Sequence, residues 1–249
     1  MPVLDSRLAL AVVSTSVLWV VSGFCALVLG VVFATGGGSR HLWIRAISWM
    51  AINVTRGIPT SIVVIAAGVV GIQVVSPDAM PVVFPGTSPE FQHVGLLIAL
   101  AVALGSAGHL AVIFIVSRGA VSQHVLAQAR IMGMSWARRG RLLFRESARA
   151  AMPATGARMV HHLHNTAFAA LFPVFELFGL LQERITLTFR VWEYLLVGAV
   201  LYIGLSGVIW LCTLGLEKWL GGDLRQLRWF PKGELSAWPW PGKAVGRAD

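Results

Sequence analysis

Charge is scarce in this chain. Lys, Arg, Asp and Glu make up 12% of its 249 residues, against about 25% in ordinary soluble domains. Acidic residues are the scarcest, eleven against twenty Lys and Arg, which leaves a formal net charge of +9. Cysteine is limited to Cys25 and Cys212. Each lies inside an apolar run, so both read as small buried hydrophobes and not as a disulfide framework. No G-x-x-x-x-G-K-[ST] phosphate loop occurs: the lone Gly242-Lys243 is followed by Ala244 and lacks the upstream glycine. The chain therefore has no cradle of its own for nucleotide phosphates. It also lacks an internal repeat or low-complexity tract that would change the fold class.

What the sequence has in abundance is apolar residue. Hydrophobic types make up 56% and the mean hydropathy is +0.74, so a membrane protein is the economical reading. The basic balance alone would suit nucleic acid, but a nucleic-acid-binding domain does not also carry five long apolar runs. A helix needs about 20 apolar residues to cross the hydrocarbon. The stretches Leu8–Ala34, Gly57–Ser76, Val94–Ser117, Met159–Leu181 and Val191–Leu216 qualify. The first is uncharged and longer than the roughly 7–15-residue core of a signal peptide, so it reads as a first span. The fourth is not a plain lipid-facing helix, because it holds His161, His162, His164 and Glu176.

Lys and Arg in the connections orient the spans. Seventeen of the twenty fall in the 36–56 loop, the 118–158 loop and the tail from Lys218; only Arg7, Arg184 and Arg190 fall on the other side. The N-terminus is expected outside and the C-terminus in the cytoplasm. Residues 1–217 then form a five-span domain with a long cytoplasmic loop at about 118–158. Residues 218–249 form a cytoplasmic tail with Trp, Pro and basic residues, interfacial or partly disordered. The outer loop 77–93 has four prolines and no basic residue, and reads as an irregular cap.

The cytoplasmic stretch "LAQARIMGMSWARRGRLLFRESARAAMP" is rich in arginine and holds one Glu. Ser135 is a plausible N-cap before Trp136. Trp136, Leu143 and Ser147 share a helical stripe flanked by arginines. Gly133 sits where two short helices can meet at an angle, and Pro153 is expected to end the run. Two readings stay open. One is inside-positive topology plus attraction to anionic lipid; the other is a docking element for a cytoplasmic partner.

The segment resembles the cytoplasmic loop of ABC-importer permeases of the polar amino acid type, which reads E-A-A-x-x-L-G-M-S before a basic helix and an L-P preceding a glycine. Ala129, Gly133, Met134 and Ser135 match, followed by Met152, Pro153 and Gly156. Three more family motifs lie in order. R-G-T-P appears as "RGIP", with Arg56, Gly57 and Pro59. K-D-T-S-L…P-E-L appears as "HNTAFAALFPVFEL", with Thr166, Glu176 and Leu177. The last helix appears as "FRVWEYLLVGAVLY", with Phe189, Glu193, Val197 and Tyr202. The resemblance covers about 53–219. It implies an all-α membrane protein of five transmembrane helices with cytoplasmic coupling helices, the type I ABC importer fold.

The resemblance further implies a non-enzymatic permease subunit in the bacterial cytoplasmic (inner) membrane. It would form half of a pathway for a polar amino acid or related small solute. No cofactor is implied in this chain; ATP and Mg sit on partner ATP-binding subunits, which dock at 121–150. The other implied partners are a second, different permease chain, an extracytoplasmic solute-binding protein and the bilayer, with no nucleic acid. Ala129, Gly133, Met134, Ser135, Trp136 and Arg138 become coupling candidates. Arg56, Gly57, Pro59, His164, Asn165, Thr166 and Glu176 become pathway or gate candidates. The chain departs from the pattern at Ala127, where the family has glutamate, and near Phe144 to Glu146, where no proline stands. Such a chain suits the degenerate half of a heterodimer. His164 and Asn165 replace a Lys-Asp pair.

The polar groups also allow blander roles. Arg56 can snorkel as a helix anchor, and Glu176 can line a pathway or serve a structural pairing. His161 and His164 share a helical face, which raises a five-span metalloenzyme using His162, Glu176 and His109 as an alternative. Such a site needs more ligands and a second shell, and no metal is expected. A non-transporting membrane scaffold is a third reading.

Overall fold

The computed structural model describes residues 5–74, 81–119, 121 and 123–221. The tail beyond residue 221, and with it the tail reading, lies outside the described residues. The elements are helices α1 (Ser6–Gly37), α2 (Leu42–Gly57), α3 (Thr60–Gln73), α4 (Gln92–Gly119), α5 (Gln123–Ile131), α6 (Trp136–Thr166), α7 (Leu177–Thr188) and α8 (Val191–Trp219). Short 3₁₀ turns at Pro89–Phe91 and Ala167–Leu171 complete them. No strand occurs among the described residues.

α4 is the hub. In its most apolar stretch 61% of residues are buried, against 28% in α1 and 11% in α8. Small side chains permit the close packing of α4. α4 carries Gly95, Ala99, Ala103, Gly105, Ser106, Ala107, Gly108 and Ala111, and small residues let neighbouring backbones approach closely where lipid gives no hydrophobic drive. α1 packs on it through Leu18, Ser22, Ala26 and Gly30, spaced three or four apart on one face. A methyl group at Gly30 would run into Leu110 and Phe114. α8 exposes Leu196, Val200, Ile203, Trp210 and Leu211, the surface of a helix at the rim.

Among the described residues, three helices are long and apolar enough to cross a membrane unbroken: α1, α8, and α4 with the turn that precedes it. The second expected span is different. Gly57 closes α2, and α3 starts only at Thr60, at 95° to α2. The cause is Pro59, which holds Ile58 in extended backbone (ψ 126°). Fourteen residues of α3 span about 21 Å, less than the roughly 30 Å of hydrocarbon.

The fourth expected span, Met159–Leu181, is not one helix either. Pro173 holds Phe172 extended (φ −130°, ψ 164°), so the chain unwinds between α6 and α7. Unwound backbone at membrane depth must find partners inside the protein. Here the Ser14 hydroxyl donates to the Phe175 carbonyl at 2.6 Å. Thr87 Oγ1 accepts from the Phe175 N–H and Thr15 Oγ1 from the Leu177 N–H, each at 2.9 Å. The count of five is therefore not reached by unbroken helices.

Pro153 does not end the cytoplasmic run. It sits inside α6, which continues to Thr166. A proline removes one backbone hydrogen bond, and burial on both sides of it offsets that loss: Ala151, Thr155, Gly156 and Met159 are buried, with Gly156 against Thr213 of α8. The loop before α4 is held by Gln92. Its Oε1 accepts from the Val83 and Phe84 N–H groups, and its Nε2 donates to the Phe84 and Thr87 carbonyls.

Candidate functional site

The coupling candidates form an elbow between α5 and α6. The Gly133 N–H donates to the Arg130 carbonyl and the Met134 N–H to the Ala129 carbonyl, both at 3.0 Å. This pair of bonds is a Schellman cap, with Gly133 at the left-handed position (φ +69°). Ser135 then caps α6, its hydroxyl accepting from the Arg138 N–H at 3.4 Å. Ala129 is buried and Met134 half-buried, while Arg138 is exposed. The cap thrusts apolar side chains outward: Ile131 is 85%, Met132 73% and Trp136 83% exposed. Ala127, where the resemblance leads one to expect glutamate, is exposed beside them.

The gate candidates divide into three groups. Arg56, Pro59 and Asn165 come together, lining a cleft of about 300 Å3 between the α2–α3 bend, α4 and α6. His109, Arg158 and His161 line it too. Arg158 is a residue that sequence reasoning missed, because it was counted among the cytoplasmic loop charges. The signal was present in its spacing: residues 158, 161 and 165 share one face of α6. Arg158 Nη2 donates to the Gly105 carbonyl at 2.7 Å and to Ser106 Oγ at 3.2 Å. Ser106 Oγ lies 2.8 Å from His162 Nδ1, and Ser22 Oγ lies 2.8 Å from His162 Nε2. A chain of polar contacts thus ties α6, α4 and α1 through a fully buried imidazole.

His164 points elsewhere, meeting the Tyr202 ring edge-on at 6.3 Å. Thr166 is buried with its hydroxyl donating to the Leu163 carbonyl at 2.7 Å. Gly57 lies at the end of α2 with open space around it. Among the described residues no three His, Cys, Asp or Glu side chains are placed to hold a metal ion, and His162 has both ring nitrogens engaged.

Glu176 lines a second cleft of about 320 Å3. It is buried, and it is the N-cap of α7: one carboxylate oxygen accepts from the Phe178 N–H at 2.9 Å, the other from the Gly179 N–H. The helix terminus supplies donors and positive dipole where the carboxylate has lost water. A clamp joins α7 to the start of α1. Arg184 Nη2 meets both Asp5 oxygens at 2.6 Å. The Arg184 guanidinium, followed by the Leu8 N–H, holds the Asp5 carboxyl below its ordinary 3.8.

No protein-family model matches the chain. The arginine transport system permease protein of Corynebacterium glutamicum is 23% identical over 216 residues, covering 86% of this chain and 68% of that protein. The crystal structure of an amino acid ABC transporter with histidines superposes with a TM-score of 0.67 at 18% identity, over 85% of this chain and 93% of its own. The inward-facing MetNI methionine ABC transporter superposes with a TM-score of 0.63 at 15% identity, over 86% and 95%. The chain has the transmembrane fold of amino acid ABC importers, and the resemblance rests on fold as well as on sequence.

Proposed function

We propose that this chain is a membrane-spanning subunit of an ATP-driven amino acid importer, forming half of the translocation pathway by alternating access. The observation that carries this reading is the likeness to two amino acid importers across 85–86% of the chain. The α5–α6 elbow supports it. Exposed Ile131, Met132 and Trp136 have the chemistry of an interface core, since buried aromatic anchors dominate docking.

On this reading, ATP-binding subunits seat on 121–150 and hold ATP and Mg. A second permease chain completes the pore, and replacement of the family glutamate by Ala127 favours a different chain over an identical one. An extracytoplasmic binding protein delivers solute to the outer face. The subunit is multi-pass in the bacterial cytoplasmic membrane, with its N-terminus outside and C-terminus inside. It makes and breaks no covalent bond. The metalloenzyme alternative has no observation in its favour, because His161, His162 and His164 do not converge.

The experiment is affinity purification of the tagged chain from native membranes, followed by reconstitution into proteoliposomes. A phosphate-loop ATPase and a second permease should co-purify, and ATP should drive amino acid uptake when the binding protein is added. Recovery of the chain without any ATP-binding subunit would refute the proposal.

A further inference from the structure

The cleft at the α2–α3 bend is charged on one sign only. Arg56 and Arg158 bring two guanidiniums to it, and these stay protonated. His109 and His161 add imidazoles, each able to donate an N–H even when neutral. No Asp or Glu lines it. Among the described residues the ion pairs are Arg7–Glu183, Arg184–Asp5 and Arg190–Glu193, and none involves either cleft arginine. Two donors are left without partners as well. Asn165 is buried, and its amide nitrogen has no hydrogen-bond partner. The Nε of Arg158 is likewise buried and unpartnered.

Buried donors without acceptors are costly and rare, and buried cations without a counter-charge are costlier. An acceptor-only group of negative charge satisfies all of them together. A carboxylate is such a group, with about four lone-pair sites and a fork that matches guanidinium. The volume, about 300 Å3, is at the small end of ligand pockets. It suits a molecule of amino acid size.

We propose that this cleft is a solute-binding site that selects net-negative, carboxylate-bearing solutes such as acidic amino acids, with Arg56, Arg158 and Asn165 as the selecting residues. This rests on the importer reading and narrows its substrate class. A cationic side chain in this cleft would face two guanidiniums with no carboxylate to meet it.

The test is equilibrium binding of radiolabelled L-glutamate, L-glutamine and L-arginine to the purified full complex in detergent. Glutamate and glutamine have nearly the same shape, so their difference reads charge. Glutamate should bind about ten-fold or more tightly than glutamine, the worth of one charge-assisted hydrogen bond. Arg56→Gln and Arg158→Gln should each erase most of that preference, and Asn165→Ala should weaken glutamate binding. Arg158 also holds the Gly105 carbonyl, so Arg158→Gln is open to misassembly; Arg56 has no such bond and carries the test alone if needed. Retention of arginine or glutamine at least as well as glutamate would overturn the proposal. So would retention of none of the three, or a glutamate preference that survives Arg56→Gln. Such a survival would assign the arginines to an acidic side chain of the second permease. Co-purification of the ATPase is read separately, so failure here leaves the importer reading standing.

Discussion

The elbow at Gly133 offers a perturbation whose size can be worked out in advance. Its φ of +69° lies in the left-handed region, and a Cβ there meets nothing within 4 Å. Any cost of substitution is therefore backbone strain and not collision. For an alanine that strain is roughly 1–2 kcal/mol, and a β-branched residue exceeds it. Asparagine tolerates the region and should cost least. One or two kcal/mol is a factor of about 5–30 in an equilibrium. Here the equilibrium is between the capped elbow and one whose Met134–Ala129 bond is lost. The spans should stay intact, because a Cβ at Gly133 meets nothing within 4 Å.

The expected order of damage is therefore Gly133→Asn, then Gly133→Ala, then Gly133→Val. The readout is the amount of ATPase recovered with the purified permease, with ATP-driven uptake measured in parallel. Trp136→Ala should give a comparable loss by removing the exposed aromatic anchor while leaving the backbone alone. Arg138→Ala should matter less, as exposed ion pairs contribute only about 0–1 kcal/mol. If all three Gly133 variants recover wild-type amounts of ATPase, the elbow is not a docking element and the arginines serve topology alone.

Other expectations follow from the same structure. Glu176→Gln keeps one carbonyl oxygen to accept from the start of α7 and should assemble with a modest loss of thermal stability. Glu176→Ala removes the cap and should cost about 0.5–2 kcal/mol. Normal assembly with uptake abolished in the Gln variant would instead assign the carboxylate to the pathway. A cysteine at Ser135, in a background without Cys25 and Cys212, should resist an impermeant thiol reagent in intact cells and react after lysis; ready labelling in intact cells would invert the topology. The Asp5 carboxyl is depressed below 3.8 by Arg184. Its contribution is therefore present above the unfolded value and lost only as pH falls through the lower folded one. Hydrogen-exchange protection at the start of α1, taken relative to the intrinsic rate at each pH, should be unchanged between pH 7 and pH 5, and lower in Asp5→Asn at both.

The long apolar runs and the sign of the loops were legible because hydropathy reports solvent preference directly. The interruptions were harder to read. Pro59 and Pro173 both break helices while Pro153 does not, although all three lie in apolar or helical surroundings. What separates them is packing. Ala151, Thr155 and Met159 are buried around Pro153, where α6 stays continuous, whereas serine and threonine hydroxyls from α1 and the loop before α4 take over the backbone bonds freed near Pro173. Those hydroxyls are about 90–160 residues away in sequence, so no local pattern announces them. The cleft was half legible for a related reason. Arg56, Pro59 and Asn165 were singled out, but Arg158 was credited to the cytoplasm because the span was taken to begin after it.

That misplacement matters for how the two sites relate. Because α6 runs unbroken from Trp136 to Thr166, one helix of about 46 Å carries the exposed anchor at one end. Toward the other end it carries Arg158, His161 and Asn165. Packed helices shift between discrete arrangements more readily than they deform. On the importer reading, a displacement of Trp136 by a docked ATPase reaches the cleft along one continuous helix, with no intervening loop to absorb it. Near the cleft, that helix is fastened to α4 by Arg158 and Ser106 and to α1 by His162 and Ser22. These bonds, with that from Trp19 Nε1 to the Met159 carbonyl, are among those a tilt of α6 must strain or exchange. On the importer reading, the arginine that selects the solute also anchors the lever that nucleotide binding moves.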